Sequence, residues 1–441
     1  MPNAPHQILD TVKKLRLIIQ ATILIISIGC SRSQKNGNSI PFIDIESNIN
    51  NTDVINLSEF ANDIKYMPLQ TSGDHIFADI WHCVFLDDWI LAYNVNRCVL
   101  YNSEGKFLNN IGTQGRGPGE FRICEQADFS KDKTIYIQNS RDLLEYDSVG
   151  SYIRTYKNVF GSDSDDFGFP AIQSWHRLND SLFFGHMTNF TGHMKYKAVI
   201  INKKGQIKTG FINYEQFQRE SPSSHGWENI SNQYMFEGRL HFKQLNGDTA
   251  FYLDDELKLN PEYVFYLGKY KMPINIRGAW DGVTKKWDYI FVRDVFQTED
   301  ILLLNCHFGN RFPAKRLTVH TPFPQTGPSW LNTNYMLGVY NKGNGEFKFC
   351  KPSNTDNALF TTGLYNDIDG GPRFFPNQMV DDSTMVMFLG AKNFKDHMNS
   401  EDFKNSTPKY PEKKIRLEEL SEKISEMDNS IMMFVTFEKR N

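Results

Sequence analysis

Trp89-Ile-Leu-Ala-Tyr-Asn94 and Thr134-Ile-Tyr-Ile-Gln-Asn139 share one shape, an apolar β-rich run ending in Asn, and lie 45 residues apart. The turns that follow keep the same step of 45, with Tyr101-Asn-Ser-Glu-Gly-Lys-Phe107 matching Tyr146-Asp-Ser-Val-Gly-Ser-Tyr152. Each turn sets an aromatic residue, a short polar stretch and a Gly ahead of a new apolar strand, which is hairpin chemistry. A fixed offset shared by strands and turns marks an internal repeat. Further copies continue along the chain. A longer third one runs from Asp180-Ser-Leu-Phe-Phe184 to Ile201-Asn-Lys-Lys-Gly-Gln-Ile207. A fourth holds Asp248-Thr-Ala-Phe-Tyr-Leu-Asp-Asp-Glu-Leu-Lys258 and the strand Tyr263 to Leu267, and a fifth holds Asp300-Ile-Leu-Leu-Leu-Asn305 and Gly338-Val-Tyr-Asn-Lys-Gly-Asn-Gly-Glu-Phe-Lys348. The sixth has Ser383-Thr-Met-Val-Met-Phe-Leu389 and closes on Ile431 to Phe437.

Each unit has room for four short strands. One such sheet cannot bury both faces, but sheets packed around an axis bury one another's and leave only short edges. The repeat therefore predicts an all-β chain folded as a six-bladed β-propeller with four-stranded blades. A two-domain β-sandwich would give no reason for the repeat register. Val54 to Leu57 and Ile64 to Leu69 read as strand ahead of the first full repeat, and are expected to complete the last blade as an N-terminal clasp. One segment breaks the β pattern. Pro411 to Asp428 places Leu417, Leu420, Ile424 and Met427 at steps of three, four and three, which predicts an amphipathic helix inserted in the last blade.

The chain has 441 residues, with 48 Lys and Arg against 52 Asp and Glu, so its net charge is −4. That balance argues against nucleic acid as a partner, which calls for a basic excess or stripe. Aromatic residues make up 14% of the chain, in keeping with strands.

The first thirty residues read as an address. Lys13, Lys14 and Arg16 precede the apolar run Leu17 to Gly29, too short to span a bilayer and suited to a signal peptide. The run ends Ser27-Ile-Gly-Cys30, a small residue before Cys, which resembles a lipoprotein box except that Ser27 stands where Leu is usual. On this reading residues 1–29 are a signal peptide, Cys30 is lipidated and becomes the N-terminus, 30–52 is a polar tether, and 53–441 is the propeller. The membrane is then a partner through the anchor. Ser31-Arg-Ser-Gln-Lys35 lacks the acidic cluster that directs surface export, so the expected place is the cell envelope, at the periplasmic face of the outer membrane. Cys83, Cys98, Cys124, Cys306 and Cys350 are odd in number and show no C-x-x-C spacing, which argues for buried thiols over a thiolate metal site.

Four stretches carry a family resemblance. Ile111-Gly-Thr-Gln-Gly-Arg-Gly-Pro-Gly-Glu-Phe121 resembles the signature loop of the six-bladed β-propeller lipoproteins of Bacteroidetes, relatives of NHL-repeat propellers. Leu57-Ser-Glu-Phe-Ala-Asn-Asp-Ile-Lys-Tyr66, Leu364-Tyr-Asn-Asp-Ile-Asp-Gly-Gly-Pro372 and Asp428-Asn-Ser-Ile-Met-Met-Phe434 agree with it, the last departing from the usual Asp-Asn-Pro. The resemblance covers about residues 53–441 and implies the fold, with no fixed activity.

Two Gly-rich loops carry charge. Gly112 to Gly119 surrounds Arg116 with four glycines, whose backbone N–H groups suit an anion. It lacks the Gly-Lys-Ser/Thr of a P-loop and the following helix of a dinucleotide site. Asn366-Asp-Ile-Asp-Gly-Gly-Pro-Arg373 sets Asp367 and Asp369 on one side of an extended strand, suited to a cation, to acid–base work or to pairing with Arg373. Arg116, Gly117, Asp367, Asp369 and Arg373 are thus the candidate ligand-binding residues, expected to meet at the propeller mouth, each loop having a purely structural alternative. Asp163-Ser-Asp-Asp-Phe-Gly168 holds only part of a calcium-loop pattern. His186 and His193, with Trp175 and His176 nearby, have no recognised metal spacing, and G-x-S-x-G is absent. Trp175, Trp227, Trp280, Trp287 and Trp330 could stack on sugars. No cofactor is required by any motif. The expectation is a binding or scaffold module for a carbohydrate, a small anion or a protein. The alternative is a lactonase-like hydrolase or lyase with a divalent cation such as calcium in the central channel.

Overall fold

The computed structural model describes residues 39–71, 76–77, 79–161, 171–221, 231–279, 285–311, 334–353 and 362–438. Cys30, the Asp163–Gly168 loop and Trp227, Trp280 and Trp330 lie outside them. Within the unit Pro41–Asn441, six antiparallel meanders follow one another as blades. Blade 1 runs His82–Leu86, Trp89–Asn94, Arg97–Asn102 and Phe107–Asn110. Blades 2 and 3 occupy 126–156 and 172–212, and blades 4 and 5 occupy 231–266 and 291–350. Blade 6 joins Gln378–Met379, Thr384–Leu389 and Ile431–Phe437 to Ala61–Pro68.

The repeated turn has a physical cause. Where the third strand of a blade ends, an Asx carboxyl or carbonyl oxygen accepts two backbone N–H groups of the hairpin. Asn102 takes those of Glu104 and Lys106, and Asp147 those of Val149 and Ser151. Asn202 and Asp254 repeat the arrangement, and Asn341 holds a variant of it. Three residues after Asn102 and Asp147 the backbone is left-handed at Gly105 and Gly150 (φ 78° and 84°), a region open to Gly; blade 4 manages it with Leu257 at 58°.

The main apolar core is divided seam by seam. Six clusters each join two consecutive blades. Leu91, Leu100 and Tyr93 of blade 1 meet Ile135, Ile137 and Tyr146 of blade 2, for example. Met67, Val386 and Met432 of blade 6 meet Ile90, Val99 and Tyr101 of blade 1, so the ring is closed. Buried side chains of this kind contribute about 1.5–3 kcal/mol each. Amides on the innermost strands reinforce the seams. Gln378 is bidentate to the backbone of Cys83, and Gln126 to that of Trp175. Asn232 accepts from Val295 N at 3.0 Å.

The clasp forms as expected. Ala61–Pro68 pairs antiparallel with Ile431–Phe437, from Pro68 opposite Ile431 to Ala61 opposite Phe437. The segment ahead of it corrects the proposed tether of 30–52. Phe42–Asp44 adds a parallel fifth strand to the outer edge of blade 4, and Thr52–Asp53 does the same for blade 5. Ile43 and Ile45 are buried there. The N-terminal segment thus straps blades 4, 5 and 6 in succession. The expected helix spans Pro411–Lys423, short of Asp428, with Met427 beyond its end and 75% exposed. Ala391–Met398 and Glu401–Lys404 are additional helices of the same insertion. Among the described residues no helix is long and apolar enough to cross a membrane.

Antiparallel meanders put alternate turns at opposite ends. The first-to-second and third-to-fourth connections run two to five residues and form one face. Among the described residues, the long connections 111–125 and 390–430 lie on the other.

Candidate functional site

The Gly-rich loop is the connection from blade 1 to blade 2. Ile111, Phe121 and Cys124 anchor it in the seam core, and Thr113–Gln114 pairs with Glu120–Phe121 in a short parallel ladder. Its glycines permit close packing: a Cβ on Gly119, at φ 74°, would lie 2.6 Å from Tyr152. The backbone cradle suggested by the sequence is occupied from within. The Glu120 carboxylate accepts from Gly117 N at 2.7 Å, and the Tyr146 hydroxyl donates to Gly119 O at 3.1 Å.

This loop and the outer strand of blade 2 wall a groove of about 920 Å³. Four cations line it, Arg116, Arg122, Arg154 and Lys157, against the carboxylates Glu120 and Asp142. Two of the cations are committed: Arg154 pairs with Glu145 at 2.8 Å and Lys157 with Asp142 at 2.8 Å. The Arg116 and Arg122 side chains are exposed and have no partner among the described residues. A loop held by its own anion, with two free guanidinium groups on its rim, suits a ligand that brings negative charge.

The second loop is built differently. Asp367 accepts from Ser58 N at 2.9 Å and from Ser58 Oγ at 2.6 Å, tying down the short helix Leu57–Glu59 ahead of the clasp. Asp369 is buried and accepts from Asn366 Nδ2 (2.7 Å), Gly371 N (2.8 Å) and the Tyr66 hydroxyl (3.3 Å). Burial pushes its carboxyl above the ordinary range against the pull of those hydrogen bonds. Arg373 pairs with neither Asp; it donates to Lys351 O at 3.3 Å and lies over the Tyr365 ring. Asn429, in the fourth motif, donates to Gln70 O and accepts from Phe77 N. Three of the four family stretches therefore converge on the ring closure. The Arg116 loop lies between blades 1 and 2, the Asp369 loop between blades 5 and 6, and no described contact brings Arg116 and Gly117 together with Asp367, Asp369 and Arg373.

His186 is fully buried with neither ring nitrogen hydrogen-bonded, and burial pushes its pKa down to about 3; His193 is exposed. Trp175 stacks on Phe160 and donates to Gln138 at 2.9 Å, a packing role. Among the described residues no group of three or more His, Cys, Asp or Glu is placed to hold a metal. The five described cysteines are buried free thiols. Sequence reading missed Arg122, which stands just outside the glycine stretch, and Glu125, whose Oε2 is buried without a partner.

No curated protein matches the chain. Among solved structures it is similar to a Bacteroides fragilis NCTC 9343 protein described as "Putative exported protein (BF0058)", with TM-score 0.61 and 16% identity, covering 91% of this chain and 100% of that one. It is also similar to a member of the duf4221 family from Bacteroides vulgatus atcc 8482, with TM-score 0.50 and 11% identity, covering 86% and 98%. At such identities the likeness speaks for the fold. A family model matches residues 40–436, from just ahead of the parallel strand on blade 4 to the last strand of blade 6, and the chain belongs to that family, described as Domain of unknown function (DUF4934).

Proposed function

We propose that this chain is an exported binding module, held at the bacterial envelope by a lipid on Cys30, that takes an anionic ligand in the groove between blades 1 and 2. The observation that carries the reading is the pair Arg116 and Arg122, unpartnered on the rim of a loop whose own anion site is already filled by Glu120. Small carboxylates, phosphates and acidic sugars share the required chemistry. Exposed charges are screened by salt, so affinity should be modest and fall with ionic strength. The exported description of the Bacteroides fragilis neighbour and the Gly29-Cys30 box support the envelope placement. Ten residues, 31–40, lie between Cys30 and Pro41, a reach of at most about 40 Å when extended.

Titration calorimetry with citrate, inorganic phosphate and glucuronate tests the site. The double variant Arg116→Ala/Arg122→Ala is expected to lose about 1.5–3 kcal/mol of binding, the range for hydrogen bonds to charged groups, with an unchanged melting temperature. Binding of no probe, or equal binding by the variant, would refute the reading. For the anchor, Cys30→Ser is expected to remain unprocessed and unlipidated by mass spectrometry, and unlipidated wild type recovered from the cytoplasm would refute it.

A further inference from the structure

The outer strand of blade 4 is built differently from those of blades 1 to 3. In those three, one unpaired residue bulges just after the hairpin: Leu108, Ile153 and Lys208, each exposed. In blade 4 the bulge lies deeper, between the pairs Phe251–Pro261 and Ala250–Tyr263, and the extra residue is Glu262. A bulge takes its side chain out of the alternating pattern and re-aims it. Glu262 is turned into the seam with blade 5. Its Oε2 lies 2.7 Å from His241 Nδ1, and its Oε1 accepts from Gln297 Nε2 at 3.2 Å. The Tyr234 hydroxyl donates to Gln297 at 2.8 Å, and the Tyr234 ring stacks on His241 with centroids 4.9 Å apart.

This network floors a cavity of about 290 Å³ at the short-turn end of the seam, on the face opposite the arginine groove. Phe236, Tyr252 and Tyr263 line it, with the Lys342 ammonium over the Phe236 and Tyr263 rings and the Arg239 guanidinium over that of Tyr252. Arg239 and Lys342 are interleaved with Glu237, Glu262 and Glu299, so neither sign dominates. Lys342 is committed to Thr298 O at 2.6 Å. The Glu262 carboxylate can only accept, so Nδ1 of His241 carries the proton of that contact, and in the neutral ring Nε2 is then an acceptor. No described residue occupies that nitrogen, although His241 lines the cavity.

The volume is at the small end for ligand pockets, enough for one ring. The mixed charge gives no selective pull on an anion or a cation. The aromatic lining supplies apolar contact, while the imidazole acceptor, the carboxylate and the guanidinium suit hydroxyls. We infer that the blade 4–blade 5 cavity binds a small uncharged polyhydroxylated ring of monosaccharide size, with a hydroxyl donated to Nε2 of His241. This site is independent of the anion groove.

The full chain is titrated with D-glucose, D-galactose, N-acetyl-D-glucosamine and myo-inositol, followed by saturation-transfer NMR and calorimetry. At least one is expected to bind with a Kd of about 0.1–10 mM, ordinary for so small a ligand with a few hydrogen bonds. His241→Phe keeps the ring that stacks on Tyr234 and removes the acceptor, so affinity should fall about tenfold, the scale of one hydrogen bond to a polar partner. The Arg116→Ala/Arg122→Ala variant should bind as the wild type does. Should His241→Phe fail to fold, Tyr252→Leu, which removes part of the aromatic lining at a half-buried position, is expected to show the same loss. Binding of none of the four probes, or binding indifferent to the seam variants, overturns the inference. Binding lost in the arginine variant would move the ligand to the groove and overturn it as well.

Discussion

At the ring closure, Asp367 is bonded to Ser58, Asp369 and Asn366 to the Tyr66 hydroxyl, and Asn429 to Gln70, all in other parts of the chain. At the groove between blades 1 and 2, Glu120 is paired within its own loop, but Arg116 and Arg122 are left over. Both regions are Gly-rich, charged and family-like in sequence. They differ in saturation. A polar group whose donors and acceptors are already paired inside the protein has little to offer a ligand, whereas a free one can exchange water for a partner at small cost. The same polar loop can thus be masonry or a binding surface, and the partner inventory decides which.

The severest way to break the comparison is to remove the clasp. Deleting residues 61–68 exposes the whole edge of Ile431–Phe437 and opens the seams on both sides of blade 6. The loss should exceed the 5–15 kcal/mol that holds a typical domain together, leaving an aggregating chain with no cooperative melt. A deletion variant that melts like the wild type would show that the ring does not depend on this strand.

A smaller cut separates the two regions. Asp369→Ala leaves Gly371 N–H, Asn366 and the Tyr66 hydroxyl short of an acceptor in a buried site. The expected cost is about 2–4 kcal/mol of stability, read by chemical denaturation, because buried donors are stranded. Anion affinity at the groove should be untouched. A stable Asp369→Ala protein with weakened anion binding would reverse the roles assigned here to the two loops.

The blades were legible because their turns are local: Asx oxygen, hairpin amides and left-handed Gly all lie within five residues. The strap was not. Phe42–Asp44 and Thr52–Asp53 are three and two residues long, too short to show a period, and their partners stand more than 200 residues away. The short helices at Ala391 and Glu401 are hidden by charge and brevity, although Phe394 and Phe403 bury themselves against the core. Arg116, Gly117, Asp367, Asp369 and Arg373 were visible as chemistry-bearing residues. Their separation was invisible, because Asp367 is spent on Ser58, 309 residues earlier. Glu262 could not be found by strand periodicity, since a bulge is the place where periodicity fails.

Glu125 sharpens the comparison at its finest grain, because it belongs to the groove connection yet is neither saturated nor free in water. It stands at the entry to the inner strand of blade 2 with one buried, unpartnered carboxylate oxygen, and burial pushes its pKa from 4.5 up to about 7. A carboxyl raised in the folded state binds more protons there than in the unfolded chain. Its contribution is therefore fully present below pH 4.5 and is lost as the pH rises through about 7, the reverse of the usual salt-bridged acid. Glu125→Gln keeps the shape and cannot ionise. Its advantage in stability over the wild type should be near zero at pH 4.5, grow between 4.5 and 7, and level off above. With the side chain partly open to solvent, the plateau should be about 1–2 kcal/mol. Thermal melts of both proteins across that interval measure it. A difference that stays constant with pH would mean that Glu125 keeps an ordinary pKa, and that the carboxylate finds a partner in solution.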